Sequence, residues 1–285
     1  MAARDVLNSI KKRFDGVIQR VDVPADNRLY LYVQPEMIKE ICRFVFRDLD
    51  ARYVISIGMD DRQHSDSFIV AHDFSFDRLN VLASIMVNLP ASRPRVDCIS
   101  DVVPAANWAE REMRDLLGIE SVGCPNPKRL ILPDGWPEGV HPLRKDVPWN
   151  YVPPDYDETK EYDFGAVPEG CVVVPFGPFH PTLDEPAHFR LFVEGEIVRG
   201  CEYRGFMVHR GIEKLADSVL TYNEIPMLAE RICGICGCVH SVAYIQAVEQ
   251  AAAIQPTPRA EFIRTIMLEI ERLHSHTLWT GLASH

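Results

Sequence analysis

The 285-residue sequence lacks the features that would send a chain across a membrane. It contains no apolar run of about 18 residues, which is the length that a membrane-spanning helix needs. Its first residues, MAARDVLNSIKKRFDG, are too charged to contain the apolar core of a signal peptide. We therefore expect the chain to stay in the cytoplasm or on its membranes.

Clustered positive charge is also missing. The net charge is −11, and no stretch of Lys and Arg forms the basic stripe that binds a phosphate backbone. We expect no nucleic acid partner.

Cysteine is absent after Cys238, and the eight cysteines are unevenly spread. Five are scattered over the first 201 residues, and scattered cysteines in a long intracellular chain are mostly small buried apolar side chains. The other three, Cys233, Cys236 and Cys238, lie within six residues of each other. That cluster requires a separate explanation.

The apolar pattern predicts an α+β protein with two domains. The first, residues 1–146, has the pattern of a small α/β domain with strands at 28–33, 53–61 and 67–75. Helices are predicted at residues 5–14, 35–49, 77–89 and 101–119. The stretch 147–170 is rich in Pro, Asp, Glu and Tyr and predicts an extended linker.

The second domain, residues 171–285, is predicted to contain a strand, a β-hairpin that turns at residues 194–196, and long helices. The last helix has an apolar stripe formed by Phe262, Ile266, Ile270 and Leu273. The sequence stops at His285 without a helix-ending Gly, so we expect this domain to be incomplete.

A charged helix dominates the end of the first domain. It carries Glu110, Arg111, Glu112, Arg114 and Asp115, and by pattern alone it is best interpreted as a solvated face with local ion pairs. A Pro-rich, irregular stretch follows at residues 127–146.

These residues also resemble a known family. The run ERExxDLLGI followed by RLILPDxWPEGxxPLRKD is similar to the signature of the thirty-kilodalton peripheral-arm subunit of respiratory complex I and of its hydrogenase relatives. The resemblance covers about residues 1–146 and implies a docking domain without a cofactor of its own.

The segment RICGICGCVHS, residues 231–241, contains the cysteine cluster. On a helix, Cys233, Cys236 and His240 would point to one side, and we expect them at the start of a long buried helix. Thiolates at this spacing can chelate a soft or borderline metal. Spacing alone favours a metal site but leaves a redox dithiol and purely structural thiols open. A thioredoxin-like strand does not precede the cluster, and only His240 and Cys238 could complete a local zinc site.

The same segment resembles the N-terminal metal-binding motif of nickel-iron hydrogenase large subunits, Arg-x-Cys-Gly-x-Cys-x-x-x-His. Together with GPFHPTLDEP, VHRGIEKL and RAEFIRTIMLEIERLHSH, it is similar to the complex-I-related membrane-bound hydrogenases of the formate hydrogenlyase type. This resemblance covers about residues 171–285.

The resemblance implies roles for individual residues. Cys233 corresponds to a terminal nickel ligand, and Cys236 to the thiolate that bridges nickel and an iron carrying cyanide and carbonyl ligands. His240 matches a histidine that hydrogen-bonds near the bridging sulfur. Glu185 matches a glutamate that passes protons to and from a nickel-bound thiolate, although a surface glutamate is the alternative interpretation.

Glu230 and Arg231 are predicted to form buried polar contacts that orient the metal-binding loop. In the related forty-nine-kilodalton subunit of complex I, the corresponding helix carries Asp-Arg-Leu-Asp-Tyr and holds quinone. This chain has residues 230–234 as Glu-Arg-Ile-Cys-Gly, and Asp184 replaces a second histidine four residues after His180. A quinone-reducing subunit is therefore disfavoured.

The resemblance implies a centre with four thiolates, two from each end of the large subunit, and this chain holds half of them. The other half is then a separate polypeptide, or the chain is truncated, or the fold is a scaffold that has lost the reaction. The expected reaction is reversible oxidation of dihydrogen, with electrons passing to a small iron-sulfur subunit that holds the clusters. Membrane subunits of a complex-I-like assembly are further expected partners, and a non-catalytic docking subunit of such an assembly is the alternative function.

Overall fold

The computed structural model describes residues 2–160, 162–180, 183 and 185–284, and it confirms the α+β class. By its internal contacts the chain divides into two compact units. The first contains residues 1–147, 151–175 and 188–207, and the second contains residues 148–150, 176–187 and 208–285. The domain limits at residues 146 and 170 stay a prediction.

The first unit is built on a five-stranded sheet with the strand order β1-β2-β5-β4-β3. The β2 and β5 strands run parallel, whereas the other neighbours are antiparallel. The strands predicted at residues 28–33, 53–61 and 67–75 are confirmed as β2, β3 and β4. The bounds are β1 Ile18–Ala25, β2 Arg28–Val33, β3 Arg52–Asp60, β4 Ser67–Phe76 and β5 Val81–Pro90.

Three short helices accompany this sheet. In α1 (Ala2–Phe14) the apolar residues recur every three or four positions, so Val6, Ile10 and Phe14 join the core of the sheet. The predicted helix at 35–49 consists of a 3-10 turn (Pro35–Met37), α2 (Ile38–Arg43) and a π-helical segment (Phe44–Asp48). The α3 helix (Arg62–Ser65) is a single turn between β3 and β4.

The helix predicted at residues 77–89 is wrong. The chain makes one 3-10 turn (Asp77–Leu79), takes a left-handed conformation at Asn80, and enters β5. This strand lies between β2 and β4, and its residues are buried almost without interruption. A strand buried on both faces has a continuous apolar pattern, which periodicity cannot separate from a buried helix.

The charged helix is α4 (Asn107–Leu117), shorter than the predicted 101–119. It is followed by Gly118, whose φ of +72° is in the left-handed region. A Cβ at Gly118 would lie 2.5 Å from both His141 and Arg144. Both the left-handed conformation and the close approach favour glycine at this helix end. Short strands β6 (Arg95–Asp97) and β7 (Glu120–Val122) pair in parallel on either side of α4 in sequence.

The predicted solvated face of α4 is also wrong, because Glu110, Arg111 and Asp115 are buried. Asp115 Oδ2 accepts hydrogen bonds from the backbone N–H groups of Leu130 and Ile131 at 2.8 and 2.9 Å. Arg111 donates to the carbonyls of Lys128 and Arg129 at 2.7 and 2.9 Å. Asp115 and Arg111 are buried because they bond the backbone of the irregular segment at residues 127–146. Glu110 is buried because its carboxylate accepts the backbone N–H of Ile99 at 2.6 Å.

The irregular stretch at residues 127–146 and the predicted linker both lack helix and strand over their described residues. The linker is bound to the first unit by hydrogen bonds. The backbone N–H of Asp157 donates to the carbonyl of Gly135 at 3.0 Å, and the backbone N–H of Gly165 donates to the Glu202 carboxylate at 2.7 Å.

A three-stranded sheet follows, with the order β10-β9-β8. Its strands are β8 Val172–Phe176, β9 His188–Glu194 and β10 Ile197–Arg204. The predicted hairpin is confirmed, since β9 and β10 are antiparallel and Gly195 turns with a φ of +61°.

The second unit is mainly helical. Its helices are α5 Ile212–Ser218, α6 Ile225–Ala229, α7 Gly237–Ala251 and α8 Pro258–Ala283, with a 3-10 turn at Glu230–Ile232. The long helix expected after the cysteines exists as α7, but only Ser241 and Val242 are buried on it, so the expected burial is wrong within this chain. None of the helices in the described part of the chain combines the length and the apolar character needed to cross a membrane.

The predicted C-terminal helix is confirmed as α8, and its apolar stripe faces outward. Phe262 is 72% exposed and Leu273 is 66% exposed, with Ile266 and Ile270 about half exposed. No described residue of α8 is buried.

Candidate metal-binding loop

The two candidate ligands lie in a loop rather than on a helix. Cys233 has an extended backbone (φ −144°, ψ 129°), and Cys236 occupies the N-cap position of α7, which begins at Gly237. The expected helical face of Cys233, Cys236 and His240 is therefore wrong, and only His240 is helical. Glycines at 234 and 237 favour a turn in this segment over a continuous helix.

The loop nevertheless brings the two thiols together. The thiol of Cys236 hydrogen-bonds to the sulfur of Cys233. This bond is the main cause of the pKa shifts of both thiols. It lowers the pKa of Cys233 and, with burial, raises the pKa of Cys236 to about 11. The pair therefore shares one proton when Cys233 ionises, and a metal that bound both sulfurs would displace it.

His240 lies one turn into α7 and faces the same loop. Its Nε2 atom is 3.6 Å from the sulfur of Cys236. The ring can donate a hydrogen bond to a thiolate there if the proton is on Nε2.

Glu185 is exposed on the segment before β9 and lies close enough to Cys233 for its negative charge to raise the pKa of that thiol. The chain reverses direction before β9, where the backbone N–H of Ala187 donates to the carbonyl of Pro178 at 3.2 Å. At Gly177 (φ +86°), a Cβ would lie 1.8 Å from the Ala187 carbonyl oxygen, so the close approach needs glycine. Asp184, whose identity disfavoured a quinone site, lies outside the described residues.

Glu230 and Arg231 bond to each other at 3.3 Å, and both side chains are exposed. The expected burial of these contacts is wrong, because the 3-10 turn directs both side chains outward. The part that either residue plays in holding a cofactor stays a prediction.

Arg210 holds the loop on its N-terminal side, and sequence reasoning missed it. Its Nη2 donates to the carbonyls of Arg231 and Ile232 at 2.7 and 3.2 Å, and its Nη1 donates to the carbonyl of Val208 at 2.9 Å. A guanidinium on these carbonyls fixes the backbone immediately before Cys233. The only available signal was its place in the VHRGIEKL segment.

Gly237 allows the chain to turn back after the second cysteine. A Cβ at this position would lie 2.9 Å from the backbone oxygen of Glu230, whereas a Cβ at Gly234 would meet nothing within 4 Å. The start of α7 therefore packs directly on Glu230, the first residue of the 3-10 turn. This close approach closes the loop that carries both thiols.

The donor set fits part of a metal centre. In the described ranges no group of three or more His, Cys, Asp or Glu side chains is arranged to hold a metal ion. Two adjacent thiols with an imidazole beside one of them suit two positions of a thiolate-rich centre, and further ligands must come from elsewhere. This geometry does not form a closed zinc site.

Comparison with known proteins gives two family matches. Residues 31–152 match the family described as respiratory-chain NADH dehydrogenase, 30 Kd subunit, and residues 210–280 match the family described as nickel-dependent hydrogenase. The second match contains the loop described above.

Three relatives match almost the whole chain. Formate hydrogenlyase subunit 5 of Escherichia coli is 39% identical over 98% of this chain, and hydrogenase-4 component G of the same organism is 38% identical over 98%. An NADH-quinone oxidoreductase subunit of Methylococcus capsulatus is 30% identical over 98%. The matched parts are 50%, 51% and 52% of these proteins, so the chain spans about half the length of the relatives it matches.

Proposed function

We propose that this chain is the N-terminal part of a large subunit of a formate hydrogenlyase-type hydrogenase and that it supplies half of a nickel-iron centre. The reaction would be the reversible oxidation of dihydrogen to protons and electrons. The observation that carries this proposal is the convergence of Cys233, Cys236 and His240 within the segment that matches nickel-dependent hydrogenases.

Cys233 and Cys236 would hold the metals as thiolates, so both protons leave when the centre binds. Bound there, a nickel-iron centre with cyanide and carbonyl ligands on iron supplies the place where dihydrogen is cleaved or formed. His240 would donate a hydrogen bond to the Cys236 sulfur and so fix its orientation. Glu230 and Arg231, which lie just before the first thiolate and have exposed side chains, would contact the bound cofactor.

Glu185 would carry protons between the Cys233 side of the loop and solvent. Two observations support this role: its charge acts on the Cys233 thiol, and the carboxyl group is exposed. A carboxyl group that lies near the site and is exposed to water can accept a proton on one side and release it on the other.

The other two thiolates would come from the C-terminal half of the large subunit, encoded separately if it is not continuous with this chain. The exposed apolar stripe on α8 supports such a partner, since apolar side chains in that number favour burial in an assembly. A small iron-sulfur subunit would receive the electrons and hold the clusters.

The first segment, residues 1–146, would be a docking domain, joined by the linker at 147–170 to the hydrogenase part at 171–285. Its match to the 30 Kd subunit family supports attachment to membrane subunits of a complex-I-like assembly, on the cytoplasmic face of the membrane. A non-catalytic docking subunit of that assembly is the second candidate function, favoured by the incomplete donor set.

Metal analysis and infrared spectroscopy of the purified complex test the proposal. We expect nickel and iron together with cyanide and carbonyl bands, and we expect Cys236→Ser to abolish both the bands and hydrogen turnover. Cys171→Ser, which lies outside the loop, is the matched thiol control and should retain them. A complex without nickel and without these bands would exclude the hydrogenase and leave the docking function.

A further inference from the structure

The start of α7 is not capped by the side chain of its own N-cap residue. Its N-cap residue is Cys236, and the side chain of Cys236 makes no capping hydrogen bond. The sulfur is instead directed to Cys233 and His240. The first backbone N–H groups of a helix need acceptors, and an N-cap Ser, Thr, Asp or Asn normally provides one.

Glu271 of α8 provides the acceptors instead. Its Oε1 accepts the backbone N–H of Cys238 at 2.5 Å, and its Oε2 accepts the backbone N–H of Val239 at 3.1 Å. These are the second and third residues of α7. A carboxylate at a helix N-terminus also interacts favourably with the helix dipole.

An ion pair between the same two helices helps to fix the position of this carboxylate. At the other end of the two helices, Arg264 of α8 bonds both carboxylate oxygens of Glu249 on α7 at 2.6 and 2.8 Å. The pairing of 249 with 264 and of 239 with 271 makes α7 and α8 antiparallel. The two polar contacts therefore set the register of the helix pair at both ends.

We propose that Glu271 is a positioning residue for the metal-binding loop, in that it caps α7 so that Cys236 is free to act as a ligand. The proposal rests on the proposed function, because binding of the metal by Cys236 explains why a cysteine occupies the N-cap position. A side chain at the N-cap that capped the helix would turn toward the helix amides and away from a metal. With the cap supplied by α8, the sulfur of Cys236 and the ring of His240 both keep their direction toward the loop.

The test uses the full chain and three variants. Glu271→Ala removes both acceptors, whereas Glu271→Gln keeps the shape and one acceptor oxygen and serves if the alanine variant does not fold. Glu269→Gln is the matched control, because Glu269 lies on the same helix and pairs within it with Arg272 at 3.0 Å. Amide hydrogen exchange at residues 238 and 239 reports the cap, and titration with Co²⁺ reports the loop through thiolate-to-cobalt absorption.

For Glu271→Ala we expect about tenfold faster exchange at these two amides and about tenfold weaker Co²⁺ binding, as loss of a typical helix cap predicts. Glu271→Gln should give an intermediate exchange rate and an intermediate Co²⁺ affinity, and Glu269→Gln should give the same values as the unchanged chain. Unchanged exchange in Glu271→Ala would overturn the cap. Faster exchange with unchanged Co²⁺ affinity would reduce Glu271 to a helix stabiliser and overturn the positioning role. Neither readout depends on nickel or hydrogen turnover, so a complex that lacks nickel would refute the proposed function without affecting this result.

Discussion

The carboxylate of Asp115 accepts the backbone N–H of Leu130 at 2.8 Å, and it also accepts the N–H groups of the next two residues at 2.9 and 3.4 Å. One buried side chain on α4 therefore satisfies three consecutive amides of a segment that has no regular structure. Leu130, Ile131 and Leu132 can be buried as a small apolar cluster because their backbone is bonded in this way.

Replacing Asp115 by Ala should lower the free energy of unfolding by about 3 kcal/mol, because three buried amides lose a charged acceptor. Asp115→Asn keeps one acceptor oxygen and should cost less. Urea unfolding followed by circular dichroism measures both. Glu138→Gln, in the same part of the chain but exposed, is the control and should change stability by less than about 1 kcal/mol. Equal effects of Asp115→Ala and Glu138→Gln would contradict the structural role of Asp115.

A buried histidine in β4 should make stability depend on pH. Burial lowers the pKa of His72 to about 4, against 6.5 for an unperturbed side chain, and its Nδ1 lies 2.6 Å from Ser56 Oγ. The unfolded chain therefore takes up this proton at a higher pH than the folded chain does. The contribution of neutral, buried His72 to stability is therefore fully present above pH 6.5 and is lost as the pH falls toward 4.

Between pH 7 and pH 5 we expect this group alone to cost about 2 kcal/mol of unfolding free energy. Urea unfolding at the two pH values measures the loss, and His72→Gln should flatten it even if the variant is less stable at pH 7. His64→Gln, at an exposed position, is the matched control. A pH dependence that persists unchanged in His72→Gln would assign it to other groups.

The apolar pattern predicts a strand correctly where one of its faces is buried, and it fails where both faces are buried. The alternating pattern of RLYLYV identified β2 to the residue, because only one of its faces enters the core. The run from Val81 to Leu89 was misassigned as a helix, since a central strand shows no alternation. The charges of α4 were misplaced for a different reason: their partners are backbone groups of a distant loop, which no local pattern indicates.

The candidate site is likewise predicted only in part by the sequence. Spacing predicted that Cys233, Cys236 and His240 would be neighbours, which they are, but assigned the wrong backbone to the cysteines. The supporting residues Arg210 and Glu271 lie 23 positions before and 35 positions after the cysteines they serve, so only the fold could reveal them.

Arg210 should control the order of the loop before the first cysteine. Arg210→Met removes three hydrogen bonds to backbone carbonyls, so we expect Cys233 to become more accessible to alkylation by about tenfold. Mass spectrometry of the reduced chain after brief iodoacetamide treatment measures the rate at this residue. Arg272→Met removes an exposed guanidinium that pairs with Glu269 on the same helix, and it should leave the rate unchanged. Equal rates in the two variants would show that Arg210 does not order the loop.

Two glycines of the loop provide the last comparison. An alanine Cβ at Gly237 would lie 2.9 Å from the backbone oxygen of Glu230, and a backbone atom cannot move aside as a flexible side chain can. Gly237→Ala should therefore displace the start of α7, weaken Co²⁺ binding by at least tenfold and lower stability by about 1–3 kcal/mol. At Gly234 a Cβ meets nothing within 4 Å, so Gly234→Ala should keep both properties. If both variants bound Co²⁺ equally well, the close approach of Gly237 to Glu230 would not be what closes the loop around the two thiols.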